Sequence, residues 1–109
     1  MSKYFEEIND GNMNLDFLAK LDKAREFAGI PFKINSAFRT PEHNAEVGGK
    51  PNSSHLRGLA VDISATDSRT RFIVLEALIK VGFNRIGVAK SFIHVDDDKD
   101  KSDRVVWVY

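Results

Sequence analysis

Cysteine is absent from all 109 residues, and with it go disulfide frameworks and every metal site built on sulfur. Also missing is any apolar run near the roughly 20 residues that a membrane-crossing helix needs. Neither sign of charge is in excess. Sixteen basic and sixteen acidic side chains cancel, so the chain lacks the electrostatic footprint with which nucleic-acid binders hold phosphate. Its opening residues show no basic-then-apolar leader pattern. A soluble protein made in the cytoplasm is therefore expected, reaching any outside target by lysis or through a leader already removed.

What remains is the composition of an ordinary globular protein, 42% apolar and 29% charged. The length suits one core and not two, so residues 1–109 are read as a single monomeric domain. Residues 1–13, polar and carrying the turn signal Asp10-Gly11, are read as a loose lead-in.

Helical spacing of Leu15, Leu18, Leu21 and Ala28, with Phe17 and Ala24 beside them, predicts a core-packing helix from Asn14, its cap, to a stop at Gly29. Alternation from Phe32 to Arg39 predicts a strand, and Thr40-Pro41 opens a short helical turn through Ala45. After Gly58, Leu59, Val61 and Ile63 alternate with Ala60, Asp62 and Ser64. A second helix, capped by Asp67 or Ser68, runs to Val81 with Phe72, Leu75, Leu78 and Ile79 as its apolar stripe. Strands follow at 84–89, 91–96 and 104–109, the last two separated by a charge-rich loop, 97–103, expected to be solvated. The fold class is α+β: a small antiparallel sheet packed on two main helices, with a cleft on its opposite face.

The chemistry concentrates in Asn52-Ser-Ser-His-Leu-Arg-Gly-Leu-Ala-Val-Asp62. His55 and Asp62 are zinc-ligand types, and an aspartate in mid-strand runs against propensity, as functional residues often do. His94, in Ser-Phe-Ile-His-Val-Asp96, supplies a third donor. Three protein ligands with one position left for water is the arrangement of a catalytic zinc site. The period of two sets His94 and Asp96 on one face, with Ile93 and Val95 directed into the core. His43 is read as exposed on its short helix, not as a ligand.

Three motifs in order, Ser36-Ala-Phe-Arg39-Thr-Pro-Glu-His-Asn44, Ser53-x-His55-x-x-Gly58-x-Ala60-x-Asp62 and Ile93-His94-Val-Asp96, resemble the zinc D-Ala-D-Ala carboxypeptidase family. That family includes L-alanyl-D-glutamate endopeptidases and shares its fold with the hedgehog signalling domain. The resemblance runs from about Phe32 to the C-terminus. It implies one Zn2+ held by His55, Asp62 and His94, and hydrolysis of peptide bonds in peptidoglycan stem peptides at the cell wall or periplasm. It also implies substrate contact by Arg39, with Ser36 and Ser53 beside it; Ser36 and Asn44 read equally as scaffold hydrogen bonds.

Many members carry Asp or Glu three residues before the second histidine, where this chain has Ser91. Asp96 is the substitute base on grounds of face and reach, its other reading being a hydrogen-bond partner that orients an imidazole. The alternative function is a non-catalytic zinc module of the same fold that binds wall peptide or a protein partner.

Overall fold

Two helices lie on one face of a five-stranded sheet in the computed structural model, which describes residues 3–8 and 11–109. The first helix, α1, spans Leu15–Ala28. Asn14 caps it by accepting from the Phe17 amide at 2.9 Å, and Gly29 ends it in the left-handed region at φ 72°. Its buried stripe is Phe17, Leu18, Leu21 and Ala24. Leu15, expected in that stripe, is 63% exposed at the first position of the helix, while Phe17 and Leu18 beside it are buried.

The strands are β1 (Ile34–Ser36), β2 (Ala60–Ser64), β3 (Arg85–Val88), β4 (Phe92–Asp96) and β5 (Val105–Val108). Between β1 and β2 lies the short helix α2, Pro41–Glu46, and between β2 and β3 lies α3, Ser68–Lys80. Sheet order is β1-β2-β4-β3-β5. The expectation of an antiparallel sheet holds for the first four strands, while β5 runs parallel to β3. The 97–104 connection returns the chain to the β3 edge, and Arg85 then pairs with Val105. The expected Phe32–Arg39 strand shortens to three residues, because the register with β2 slips between Ile34 and Ser36.

Val61, Ile63, Ile86, Ile93 and Val95 point from the sheet into the core, where they meet Leu18, Leu21, Val74, Ala77 and Leu78. Helix α3 buries Leu78 and partly Leu75 as expected, but Phe72 and Ile79 of the expected stripe face outward. Val74 and Ala77 are buried while Phe72 is 64% exposed, since α3 packs on both α1 and β4 and needs small side chains at the contact. No helix among the described residues is long and apolar enough to cross a membrane.

The lead-in, expected to be loose, is anchored at Phe5 and Met13 among its described residues. Phe5 is only 1% exposed and stacks near Phe32 with ring centroids 6.4 Å apart, and Met13 joins the same core. The pair Tyr4-Phe5 in an otherwise polar stretch gives no periodicity, so sequence pattern could not reveal its burial. Asp10 of the expected Asp10-Gly11 turn lies outside the described residues.

Candidate metal centre

His55 stands in a single 3-10 turn, Ser54–Arg57, whose start is capped by Ser53 Oγ accepting from the His55 amide at 3.2 Å. The turn closes at Gly58 with φ 67°, where a Cβ would overlap the Asn12 carbonyl. The Asn14 amide donates to the Gly58 carbonyl at 2.9 Å, so the lead-in holds this turn from outside. On the inner side the imidazole Nδ1 lies 2.7 Å from the Ala37 carbonyl. A carbonyl only accepts, so Nδ1 carries the proton and Nε2 offers its lone pair, 3.4 Å from Asp62 Oδ1.

Asp62 and His94 face each other across β2 and β4 as direct register partners. His94 Nδ1 is 3.0 Å from Asp62 Oδ1, and its Nε2 is 2.7 Å from Asp96 Oδ2. Burial lowers the His94 pKa, but hydrogen bonds to the two carboxylates outweigh it and leave the imidazole above its ordinary value. Burial likewise raises Asp62, yet hydrogen bonds from His55 and His94 hold it well below the usual carboxylate range.

His55, Asp62 and His94 each present one donor atom, all within 4.8 Å of one another. Two of the separations, 3.4 and 3.0 Å, compare with about 3.4 Å between tetrahedral donors at zinc bond lengths near 2.1 Å. Each histidine's other nitrogen is tied to a fixed acceptor, which sets its tautomer and ring plane as metal ligation requires. The donor set fits a single zinc ion.

Asp96 is held on every side. It is 1% exposed, and both oxygens are engaged: Oδ2 with His94, Oδ1 with Arg85 Nε at 2.6 Å and the Asp98 amide at 3.2 Å. It bonds the imidazole nitrogen turned away from Asp62, the geometry of the second of its two readings, a carboxylate that orients the ring. Ser91, at the position where many relatives carry an acid, is exposed in the turn between β3 and β4.

Arg39 reaches the centre with Nη2 3.7 Å from Asp62 Oδ2. Its Nε donates to Ser36 Oγ at 3.1 Å and its Nη1 to Asn44 Oδ1 at 3.3 Å, while buried Asn44 also donates to the Lys50 carbonyl at 2.8 Å. Ser36 thus holds the guanidinium, the scaffold hydrogen bond that is one of its two expected roles. Ser53 does line the cleft, with its hydroxyl also capping the His55 turn.

The cleft has a volume of about 730 Å³ and is bounded on one side by residues 48–54 and on the other by β5. Sequence reasoning missed three of its supports. Arg85 fixes Asp96. Trp107 closes the β5 side, its indole 5.5 Å from the His94 ring; the strand alternation that exposes Val106 and Val108 was the available signal. Asp98 lies in the loop expected to be solvated, yet it is 1% exposed and accepts from Ser54 Oγ at 2.8 Å and Arg57 Nη1 at 2.6 Å. Its amide bonds Asp96, so one residue links the segments that carry both histidines.

A family model described as Peptidase M15 matches residues 2–96. A search of curated proteins finds no match to the chain.

Proposed function

Since the chain belongs to the peptidase M15 family of zinc-dependent metallopeptidases, we propose that it hydrolyses peptide bonds in peptidoglycan stem peptides, acting at the cell wall with one zinc ion held by His55, Asp62 and His94. The observation that carries this reading is that one donor atom from each of His55, Asp62 and His94 lies within 4.8 Å of the others, in residues that line an open cleft.

When bound, zinc would supply Lewis acidity toward the scissile carbonyl and a water of pKa about 7. The protein's own groups do the rest. Ala37 and Asp96 hold the two imidazoles in the required tautomers, and Arg85 and the Asp98 amide keep Asp96 ionised and in place. Although burial raises the Asp96 carboxyl, the hydrogen bonds from His94, Arg85 and Asp98 leave it below the ordinary value. Arg39, held by Ser36 and Asn44, offers its remaining nitrogen beside Asp62 to a substrate carboxylate or to the carbonyl oxygen under attack.

A second reading has an observation in its favour. The carboxylates lining the cleft among the described residues are Asp62 and Asp96, both engaged, and Ser91 occupies the usual acid position. A zinc module that binds wall peptide without cutting it fits that absence. Zinc-loaded protein incubated with purified peptidoglycan separates the two. Release of new amino termini, abolished by chelator and in His94→Ala, establishes the peptidase; co-sedimentation with the wall and no release establishes the binding module.

A further inference from the structure

Cross-strand registers place Ser36, Asp62, His94, Gly87 and Trp107 in one row over five strands. Side chains in such a row project from the same face of a sheet. The fourth position is the exception, because Gly87 has none. A Cβ built there would overlap the indole of Trp107. The ring therefore lies over the glycine backbone, 5.5 Å from the His94 ring on one side, with the Arg85 guanidinium 5.2 Å from its centre. Tyr109 extends the wall and stacks at 5.2 Å on Phe92, which also lines the cleft.

The cleft is consequently asymmetric about the candidate metal centre. Arg39 stands at its β1 end, and an aromatic wall stands at its β5 end. The cations near that wall are engaged: Arg85 with Asp96 and the Ser102 carbonyl, Lys101 with the Asn52 carbonyl and Ser54 Oγ. An anionic group finds its partner at the Arg39 end, and an apolar flank finds its partner at Trp107. Trp107 and Tyr109 also fall beyond residues 2–96, the span shared with the family model.

Resting on the peptidase reading, the geometry points to Trp107 as a specificity-determining residue. It packs against the apolar side of the substrate residue next to the scissile bond and so sets which way the peptide lies, carboxylate toward Arg39 and small apolar side chain toward β5. Gly87 serves it by leaving the indole room to reach the centre.

Trp107 is the sole tryptophan of the chain, so its emission can be read without ambiguity. The probe is N-acetyl-L-Ala-γ-D-Glu-L-Lys-D-Ala-D-Ala with zinc-loaded protein. In Trp107→Ala, KM is expected to rise about tenfold or more, the scale of one lost apolar contact in a specificity pocket, with kcat within about threefold and zinc content unchanged; Trp107→Phe is expected to recover most of the loss. Unchanged KM in Trp107→Ala overturns the assignment, as does a fall in kcat accompanied by lost zinc, which marks a structural role. Should the wild type cleave no bond of this peptide, the peptidoglycan peptidase reading fails by itself. The emission titration still decides the inference: a saturable shift of Trp107 fluorescence that is lost in Arg39→Ala supports a bound peptide spanning both ends, and a flat titration overturns it.

Discussion

Asp62 and His94 are direct partners across β2 and β4, their side chains joined by a 3.0 Å contact although 32 residues separate them in the chain. Sheet pairing therefore fixes two of the three candidate ligands, and only His55 depends on a turn. The consequences for metal binding differ between the two kinds of support.

Removing a donor is expected to remove the metal. Purified wild type should carry one zinc per chain, and Asp62→Asn or His94→Ala close to none, as read by elemental analysis. Added zinc should raise the melting temperature of the wild type alone, by the equivalent of about 2.7 kcal/mol when free zinc is a hundred times Kd. An equal rise in His94→Ala would show that the ion binds elsewhere.

Asp96→Asn separates an orienting carboxylate from a base. An orienting role predicts zinc affinity weakened about 10- to 100-fold, with activity restored by excess zinc. A base predicts full zinc occupancy and a kcat that excess metal does not restore. Competition with a chromogenic chelator measures the affinity.

Asp98 should make stability acid-sensitive. Burial raises its carboxyl, but Ser54, the Asp100 amide and Arg57 together hold it below the ordinary value. A depressed folded pKa means that the unfolded chain takes up the proton first. The contribution is thus fully present above the unfolded value near 3.9 and fades as pH falls through the lower, folded one. Denaturant melts from pH 7 down to pH 2.5 should show wild type and Asp98→Asn converging at the acid end. At pH 7, Asp98→Ala should cost about 2 kcal/mol, because the buried Ser54 hydroxyl loses its acceptor, keeping only the Lys101 donor, and Arg57 loses a carboxylate partner.

Phe5→Ala should cost about 3 kcal/mol, the scale of a buried phenylalanine truncation. If residues 1–13 contributed nothing to the core, the loss in a urea melt would be within about 0.5 kcal/mol.

Periodicity and caps were the legible part of the fold. Asn14, Gly29, Thr40 and Asp67 act at the ends of their helices because their side chains or positive φ satisfy local backbone groups, an effect confined to a few neighbouring residues. The three donors were legible for a related reason, since two lie on strands whose alternation was clear. Leu15, Phe72 and Ile79 fell off their stripes because 3.6-residue spacing marks an apolar band but not which part of it meets a neighbour. Phe5, Asp98 and the parallel seating of β5 were illegible because partners far along the chain determine them. Arg85 and Trp107 were missed for the same reason: their roles follow from what lies beside them in the sheet.

The sheet's order gives β4 a double duty. Strands β1 and β2 form one half, β3 and β5 the other, and β4 is the seam between them as well as the bearer of His94. During synthesis β3 has no strand linking it to β2 until that seam emerges, β5 is made last of all, and no intermediate lacking β4 can offer all three donors together. Acquisition of an ion by this centre would thus report that β4 has docked against β2 beside the His55 turn.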